Sequence, residues 1–347
     1  FFYKKERPLA RGDEVIVPSI SWATTYYPLQ QLGLKLKFLD VELDTLNMDV
    51  SRLEEALTPK TRMVVAVSIL GNPCALDILR TFCDKNELYL FEDNCESMGA
   101  LLNGKLCGTF GDIGTFSTFF SHHISTMEGG IIVTKDEEIY HLAKSLRAHG
   151  WTRDIPPDSS IYNKNSDDFY EAYRFILPGY NLRPTEISAS IGIVQLKKIK
   201  KILKLFRNNA KFVIKNLPSG ISPPYTPPNV NNSFLVIGCL YNEKEIGTSR
   251  KNFLEKLTKN RHHILKKDKK SDIKGINMKS GKLISTGYSS PLYEVPIYKK
   301  FKPKNGCPNA KKFTETSLWM DIHKFRAHDE IKEELEILTR TINQFKK

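Results

Sequence analysis

The chain has 347 residues, 40% of them apolar and 26% charged, the make-up of a globular protein with room for a large core and two domains. No apolar run reaches the roughly 18 residues that a membrane-spanning helix needs. The opening Phe-Phe-Tyr-Lys-Lys-Glu-Arg-Pro places charges after three apolar residues, unlike a secretory signal. A cytoplasmic location and no membrane partner are therefore expected.

Chain order then gives an alternating pattern. Between residues 13 and 150 the candidate strands are Glu14–Val17, Lys35–Leu39, Met63–Ser68, Leu88–Phe91, Ile113–Ser117 and Gly130–Thr134. Helical patterns such as Asp49–Leu57 and Leu76–Lys85 lie between them. Strands alternating with helices predict an α/β fold with a mainly parallel sheet flanked by helices. Such sheets bind ligands beyond the carboxyl ends of their strands. A long helix follows from Pro184 to about Lys215, with Pro184, Thr185 and Glu186 suiting its start. The turn-rich stretch from Pro218 to Asn232 reads as a linker into a smaller second domain. Beyond it, Phe234–Leu240 reads as a strand and Asp329–Phe345 as a C-terminal helix. Residues 243 to 300 show weak periodicity.

The net charge of +13 concentrates in Lys197 to Arg207 and Arg261 to Lys282. Nucleic-acid binding is one reading of such clusters. However, Leu196, Ile199, Ile202, Leu203 and Phe206 recur at helical spacing among the first set of lysines. That pattern predicts an amphipathic helix with a solvated basic face, and no nucleic-acid partner. The second cluster reads as a surface insertion. The positive surplus suits attraction of an anionic small substrate. The six cysteines, Cys74, Cys83, Cys95, Cys107, Cys239 and Cys307, contain no Cys-x-x-Cys pair. They read as reduced thiols, with neither a zinc site nor an iron–sulfur cluster.

Two segments carry chemistry. Phe91 to Ser97 reads Phe-Glu-Asp-Asn-Cys-Glu-Ser, and Ser117 to Gly130 reads Ser-Thr-Phe-Phe-Ser-His-His-Ile-Ser-Thr-Met-Glu-Gly-Gly. Alone, Asp93 at a strand end reads as a turn or cap, Trp22 as either a core residue or a flat stacking face, and Ser117 as a local hydrogen-bonding group. Glu128, Gly129 and Gly130 read as a turn whose work is backbone geometry.

Together the two segments resemble the core of the DegT/DnrJ/EryC1/StrS family of sugar aminotransferases, pyridoxal-phosphate enzymes of the aspartate-aminotransferase fold (fold type I). The resemblance covers about residues 9 to 215 well and the remainder loosely. It implies that Asp93 pairs with the protonated pyridine nitrogen and keeps the ring an electron sink. It further implies that Trp22 stacks on the ring and that Ser117 contacts the cofactor phosphate. Glu96 stands where the family has a glutamine near the cofactor. Asn181, in Gly-Tyr-Asn-Leu-Arg, matches an asparagine that reaches the phosphate of the neighbouring subunit. The implied unit is a homodimer with shared sites.

In the family the position of His122 is normally a lysine that binds the cofactor covalently. Histidine cannot form that link, but it can act as a general base near neutral pH. The pattern therefore resembles the histidine-for-lysine subset, the GDP-4-keto-6-deoxymannose 3-dehydratases of colitose synthesis. These use pyridoxamine 5′-phosphate, regenerated by glutamate, and no iron–sulfur cluster. The segment Arg147 to Trp151 shares this likeness, which makes His149 a candidate substrate contact. His123 receives no role.

The resemblance also has a gap. Family members carry several tens of residues before the point matching this start, including a Gly-Ser/Thr-rich loop whose amides hold the cofactor phosphate. No such loop precedes Gly12, so weakened cofactor binding is expected. The implied reading is a 3-dehydratase of a nucleotide-linked 4-keto-6-deoxyhexose, with a large cofactor domain over residues 1–217 and a small domain over 218–347. A sugar aminotransferase, which would need a lysine at 122, and a truncated non-catalytic paralogue are the alternatives.

Overall fold

The segment Thr-Arg-Met-Val-Val-Ala-Val at 61–67 is almost uninterrupted apolar chain, and six of its seven residues are buried. That is the signature of a strand covered on both faces. In the computed structural model, which describes residues 1–265, 284–285, 290–322 and 328–346, it is a central strand. The sheet consists of β1 (Glu14–Pro18), β2 (Lys35–Leu39), β3 (Thr61–Val67), β4 (Tyr89–Asp93), β5 (Ile113–Ser117) and β6 (Gly130–Val133). Its order is β2-β1-β3-β4-β5-β6. All neighbours are parallel except β6, which runs antiparallel to β5. The predicted α/β fold is therefore present, and the strand bounds differ from the sequence reading by two residues or fewer.

The chain winds outward from β1 to β2 and then returns to place β3 on the other side of β1. Loops leaving β1 and β3 thus diverge, the arrangement beyond whose strand carboxyl ends open α/β sheets bind ligands.

Helix α1 (Leu76–Lys85) covers one face with Leu76, Leu79, Phe82 and Cys83, spaced to fall on one side. Helix α2 (Glu137–Leu146) is started by Asp136, whose side chain accepts the amide hydrogen of Ile139 at 3.0 Å. Helix α3 (Glu186–Lys215) is capped by Thr185, which accepts from the amide of Ser188. Its C-terminal half buries Ile202, Leu203, Phe206, Ala210 and Val213, while Lys197, Lys198, Lys200, Lys201 and Lys204 stay exposed. The solvated basic face is thus observed. Leu196 departs from expectation: it is exposed, along with Ile187, Ile193 and Val194, because only the later turns of α3 pack on a core.

The expected linker is pinned down rather than free. Val230–Asn231 pairs with Leu101–Leu102, and Ile221–Ser222 pairs with Leu240–Tyr241. The latter belongs to a second, antiparallel sheet centred on β7 (Val236–Tyr241) and β8 (Ser317–Asp321), with Ile284–Ser285 at its edge. Helices α4 (Arg250–Leu265) and α6 (His328–Asn343) join α3 around that sheet. The weakly periodic region therefore holds a helix, whose Phe253 and Leu257 are buried. Between α4 and α6, α5 (Pro308–Thr316) and the turns before it return to the first sheet. Tyr298 meets Tyr26 and Phe38 edge-on at 6.2 and 6.1 Å, and its hydroxyl donates to the carbonyl of Ala23 at 2.7 Å. The basic stretch from Arg261 to Lys282 lies outside the described residues beyond position 265. No helix among the described residues is long and apolar enough to cross a membrane.

Candidate active site

Three strand ends supply the site. Strand β4 stops at Asp93 because that side chain closes its own turn: Oδ1 accepts the amide hydrogen of Cys95 at 3.0 Å. Oδ2 accepts the hydroxyl of Thr25 at 2.8 Å. The Cys95 thiol also meets this carboxylate; an ionised carboxylate offers about four acceptor positions, so part of its capacity stays available to a further donor. The turn reading of Asp93 and a free acceptor edge thus coexist.

Strand β1 ends at Pro18, whose carbonyl accepts the buried hydroxyl of Tyr26 at 2.6 Å. That bond folds the chain back over Ser19 to Thr25. A short 3₁₀ turn, Ala23–Thr25, begins after Trp22. Trp22 is 64% exposed, which excludes the core reading of this residue.

Strand β5 ends at Ser117, and the next five residues loop back so that the amide of His122 donates to the carbonyl of Phe119 at 3.0 Å. Ser117 Oγ accepts from the amide of Phe119 at 3.2 Å and lies 3.4 Å from His122 Nδ1. The loop is held from behind. Thr118 pairs with Gly129 through its backbone and with Thr126 through its hydroxyl. Gly129 has no room for a side chain, since a Cβ would sit 2.6 Å from Thr118 Oγ1. His123 faces away: it is buried, meets Phe206 with the rings tilted at 56° and their centroids 4.9 Å apart, and places Nε2 3.3 Å from the carbonyl of Ser233.

The His122 imidazole titrates below its ordinary value. Burial is the main cause, opposed by the hydrogen bond with Phe119 and by the negative charge of Asp93. A lowered pKa favours the neutral ring, the form that acts as a base, near neutral pH.

The other expected residues sit differently. The carboxylate of Glu96 accepts the amide hydrogen of Leu70 at 2.6 Å, tying the turn after β4 to the turn after β3. Leu70 there adopts a positive φ of 54°. His149 and Asn181 group around Arg183. Arg183 Nε donates to Asn181 Oδ1 at 3.3 Å, and its Nη2 lies 3.5 Å from His149 Nε2. The backbones of Ala148 and Asn181 are bridged. Two glycines allow this: a Cβ on Gly150 would fall 1.6 Å from the carbonyl oxygen of Leu177, and one on Gly179 2.2 Å from the amide of Gly150. Thr25 and Ser21 escaped the sequence reading. Their only signal is a run of hydroxyls, Ser19, Ser21, Thr24 and Thr25, after β1. Among the described residues, no group of three or more His, Cys, Asp or Glu side chains is placed to hold a metal ion.

Residues 7–338 match the DegT/DnrJ/EryC1/StrS aminotransferase family. The chain belongs to that family. Among its relatives, this family member is 41% identical over 339 residues to GDP-4-keto-6-deoxy-D-mannose 3-dehydratase of Escherichia coli O55:H7, spanning 97% of the chain and 82% of the relative. It is 51% identical over 225 residues to the enzyme of the same name from Yersinia pseudotuberculosis, spanning 65% of the chain and 56% of the relative. Among solved structures, the E. coli dehydratase with bound hydrated pyridoxal phosphate superimposes with a TM-score of 0.85 at 37% identity, over 97% of this chain and 82% of that one. A structure of the dehydratase with GDP-perosamine bound gives the same TM-score of 0.85 over 97% of this chain and 83% of that one. The aspartate-aminotransferase-like architecture expected from the sequence is thereby established.

Proposed function

We propose that this family member is a 3-dehydratase of a nucleotide-linked 4-keto-6-deoxyhexose, of the GDP-4-keto-6-deoxymannose type, using pyridoxal or pyridoxamine 5′-phosphate with glutamate as amino donor. The observation that carries the reading is His122 in place of a lysine, held neutral beside Ser117 and within the field of Asp93. Its similarity to two dehydratases of that name supports the substrate class.

The residues present fit the cofactor by their donor chemistry. Asp93 is an acceptor-only group with unused lone pairs, suited to a protonated ring nitrogen. Trp22 offers an exposed flat face, and the Ser117 hydroxyl suits a phosphate oxygen. When bound, the cofactor supplies the electron sink that makes an adjacent carbon proton acidic. His122 takes that proton at a ring nitrogen and carries no covalent link that would hold an amino group for transfer. Glu96 supports the turn beside the cofactor through Leu70. His149 is a substrate contact and Asn181 a phosphate contact, delivered on the segment that Arg183 braces.

The second half of the proposal is assembly. Tyr180 and Leu182, which flank Asn181, are 62% and 69% exposed, and Ile187 and Ile193 on α3 are 75% and 60% exposed. So much apolar surface near a site segment suits a second copy of the chain, giving a homodimer with shared sites. Residues 1–217 form the large cofactor domain and 218–347 the small one, with Tyr298 and its neighbours returning to brace the first sheet. Six free cysteines suit a reducing, cytoplasmic setting. The product's place is deoxysugar synthesis for a lipopolysaccharide O-antigen, as in colitose formation.

The test is to load the protein with pyridoxamine phosphate, add GDP-4-keto-6-deoxymannose and glutamate, and follow product by mass. A 3-deoxy ketone that disappears in His122→Asn supports the reading. A 4-amino sugar, or no turnover with cofactor bound, sinks it.

A further inference from the structure

We infer that Thr25 is a positioning residue that, with Ser21 behind it, fixes the Asp93 carboxylate for the cofactor ring nitrogen. This rests on the reading of Asp93 given above. The directions of the bonds follow from valence. Ionised Asp93 has no hydrogen to give, so the Thr25 proton points at Oδ2 across 2.8 Å. With its hydrogen spent there, Thr25 Oγ1 can only accept from Ser21 Oγ, 3.0 Å away. The chain Ser21→Thr25→Asp93 therefore runs one way, and Ser21 fixes the rotor of the hydroxyl that holds the carboxylate. Ser21 is only 1% exposed, so solvent hardly competes for it.

The geometry locks the carboxylate on both sides. Cys95 holds Oδ1 from the turn after β4, and Thr25 holds Oδ2 from the turn after β1. Rotation about the last side-chain bond would break both contacts. The same 3₁₀ turn starts at Trp22, whose carbonyl accepts the amide hydrogen of Thr25 at 3.1 Å. One turn thus sets both the stacking face and the orientation of the nitrogen's partner. Trp22 and Asp93 lie 71 positions apart in sequence (93 − 22), and Thr25 joins them in space.

The experiment measures cofactor affinity by calorimetry, and the pH at which the bound pyridoxamine phosphate spectrum changes, in wild type, Thr25→Val, Thr25→Ser and Asp93→Asn. Losing a hydrogen bond to a charged group predicts roughly tenfold weaker binding in Thr25→Val, with the spectral transition moved to lower pH because a carboxylate no longer held in line with the ring nitrogen helps it less to keep its proton. Thr25→Ser keeps the hydroxyl and should stay within about twofold of wild type. If Thr25→Val behaves as wild type in both readouts while Asp93→Asn is impaired, the inference fails alone. If Asp93→Asn also behaves as wild type, the reading of Asp93 fails with it. A loss of thermal stability in the cofactor-free protein without a spectral shift would mark a merely structural bond and overturn the inference. Should Thr25→Val not fold, Ser21→Ala removes the donor behind Thr25. A shift in the same direction supports the relay, and an unmoved spectrum overturns it.

Discussion

Ser117 Oγ sits 3.4 Å from His122 Nδ1 and, with the same oxygen, accepts the amide hydrogen of Phe119 at 3.2 Å. The contact with His122 is at the long end for a hydrogen bond, so it guides the ring without binding it tightly. A cofactor phosphate would draw the Ser117 hydroxyl outward, away from His122. Ser117→Ala should therefore weaken pyridoxamine phosphate binding by about tenfold to a hundredfold, the range for a hydrogen bond to a charged group. Binding of pyridoxamine lacking the phosphate should hardly change. Calorimetric titration with both ligands checks this, and equal losses for the two would refute a phosphate contact.

His122→Asn keeps the size and polarity of the side chain but removes the base. Loss of general base catalysis is expected to slow dehydration about 100-fold to 10,000-fold, with cofactor affinity nearly unchanged. Single-turnover measurement with loaded protein separates the two effects.

Burial holds the folded pKa of His122 below its ordinary value of 6.5. The base form is the active one, so kcat/KM should be flat above pH 6.5 and fall as pH drops through the lower, folded value. Stability follows the same sign. Between the two values the unfolded chain takes up a proton that the folded chain refuses, so this group removes stability as pH falls. A kcat/KM profile whose acid limb lies above pH 6.5 would contradict the assignment.

Gly150 carries a positive φ of 81°, and its missing Cβ would lie 1.6 Å from the Leu177 carbonyl oxygen. Gly150→Ala combines a left-handed backbone with an impossible contact. It should cost about 3 kcal/mol or more and displace the segment bearing His149 and Asn181. Thermal unfolding measures the first effect. Limited proteolysis between residues 147 and 183 reads the second.

Phe206 is fully buried, and the His123 ring packs against it, tilted, at 4.9 Å. It joins α3 to the loop that carries His122. Phe206→Ala should destabilise the protein by about 3–5 kcal/mol, as for other buried aromatic truncations. A fall in turnover at temperatures where the variant stays folded would show that the His122 loop depends on this packing.

The parallel strands are legible because they are short, punctuated by turns, and either β-branched, as in Glu14–Pro18 and Thr61–Val67, or alternating, as in Lys35–Leu39. Lys35–Leu39 and Ile113–Ser117 were read with the observed bounds. Helix α4 was not legible: its two buried residues, Phe253 and Leu257, stand among lysines and asparagines and leave only a faint stripe. The exposure of Leu196 could not be read either, since periodicity says which side of a helix is apolar but not whether anything lies against it.

For the proposed site, the sequence by itself determined which side chains are candidates for the chemistry. A histidine where the family has lysine, a carboxylate ending an apolar strand and a serine ending another follow from residue type and motif, which are local. The tertiary structure decided what surrounds them. It turned Thr25, unremarkable in sequence, into the partner of Asp93, and turned His123 into a core residue while its neighbour faces the site. It also tied Glu96 to Leu70 and gathered His149 and Asn181 around Arg183. Hydrogen-bond partners and burial depend on which strand ends the sheet brings together. Its order, β2-β1-β3-β4-β5-β6, joins loops that lie far apart along the chain.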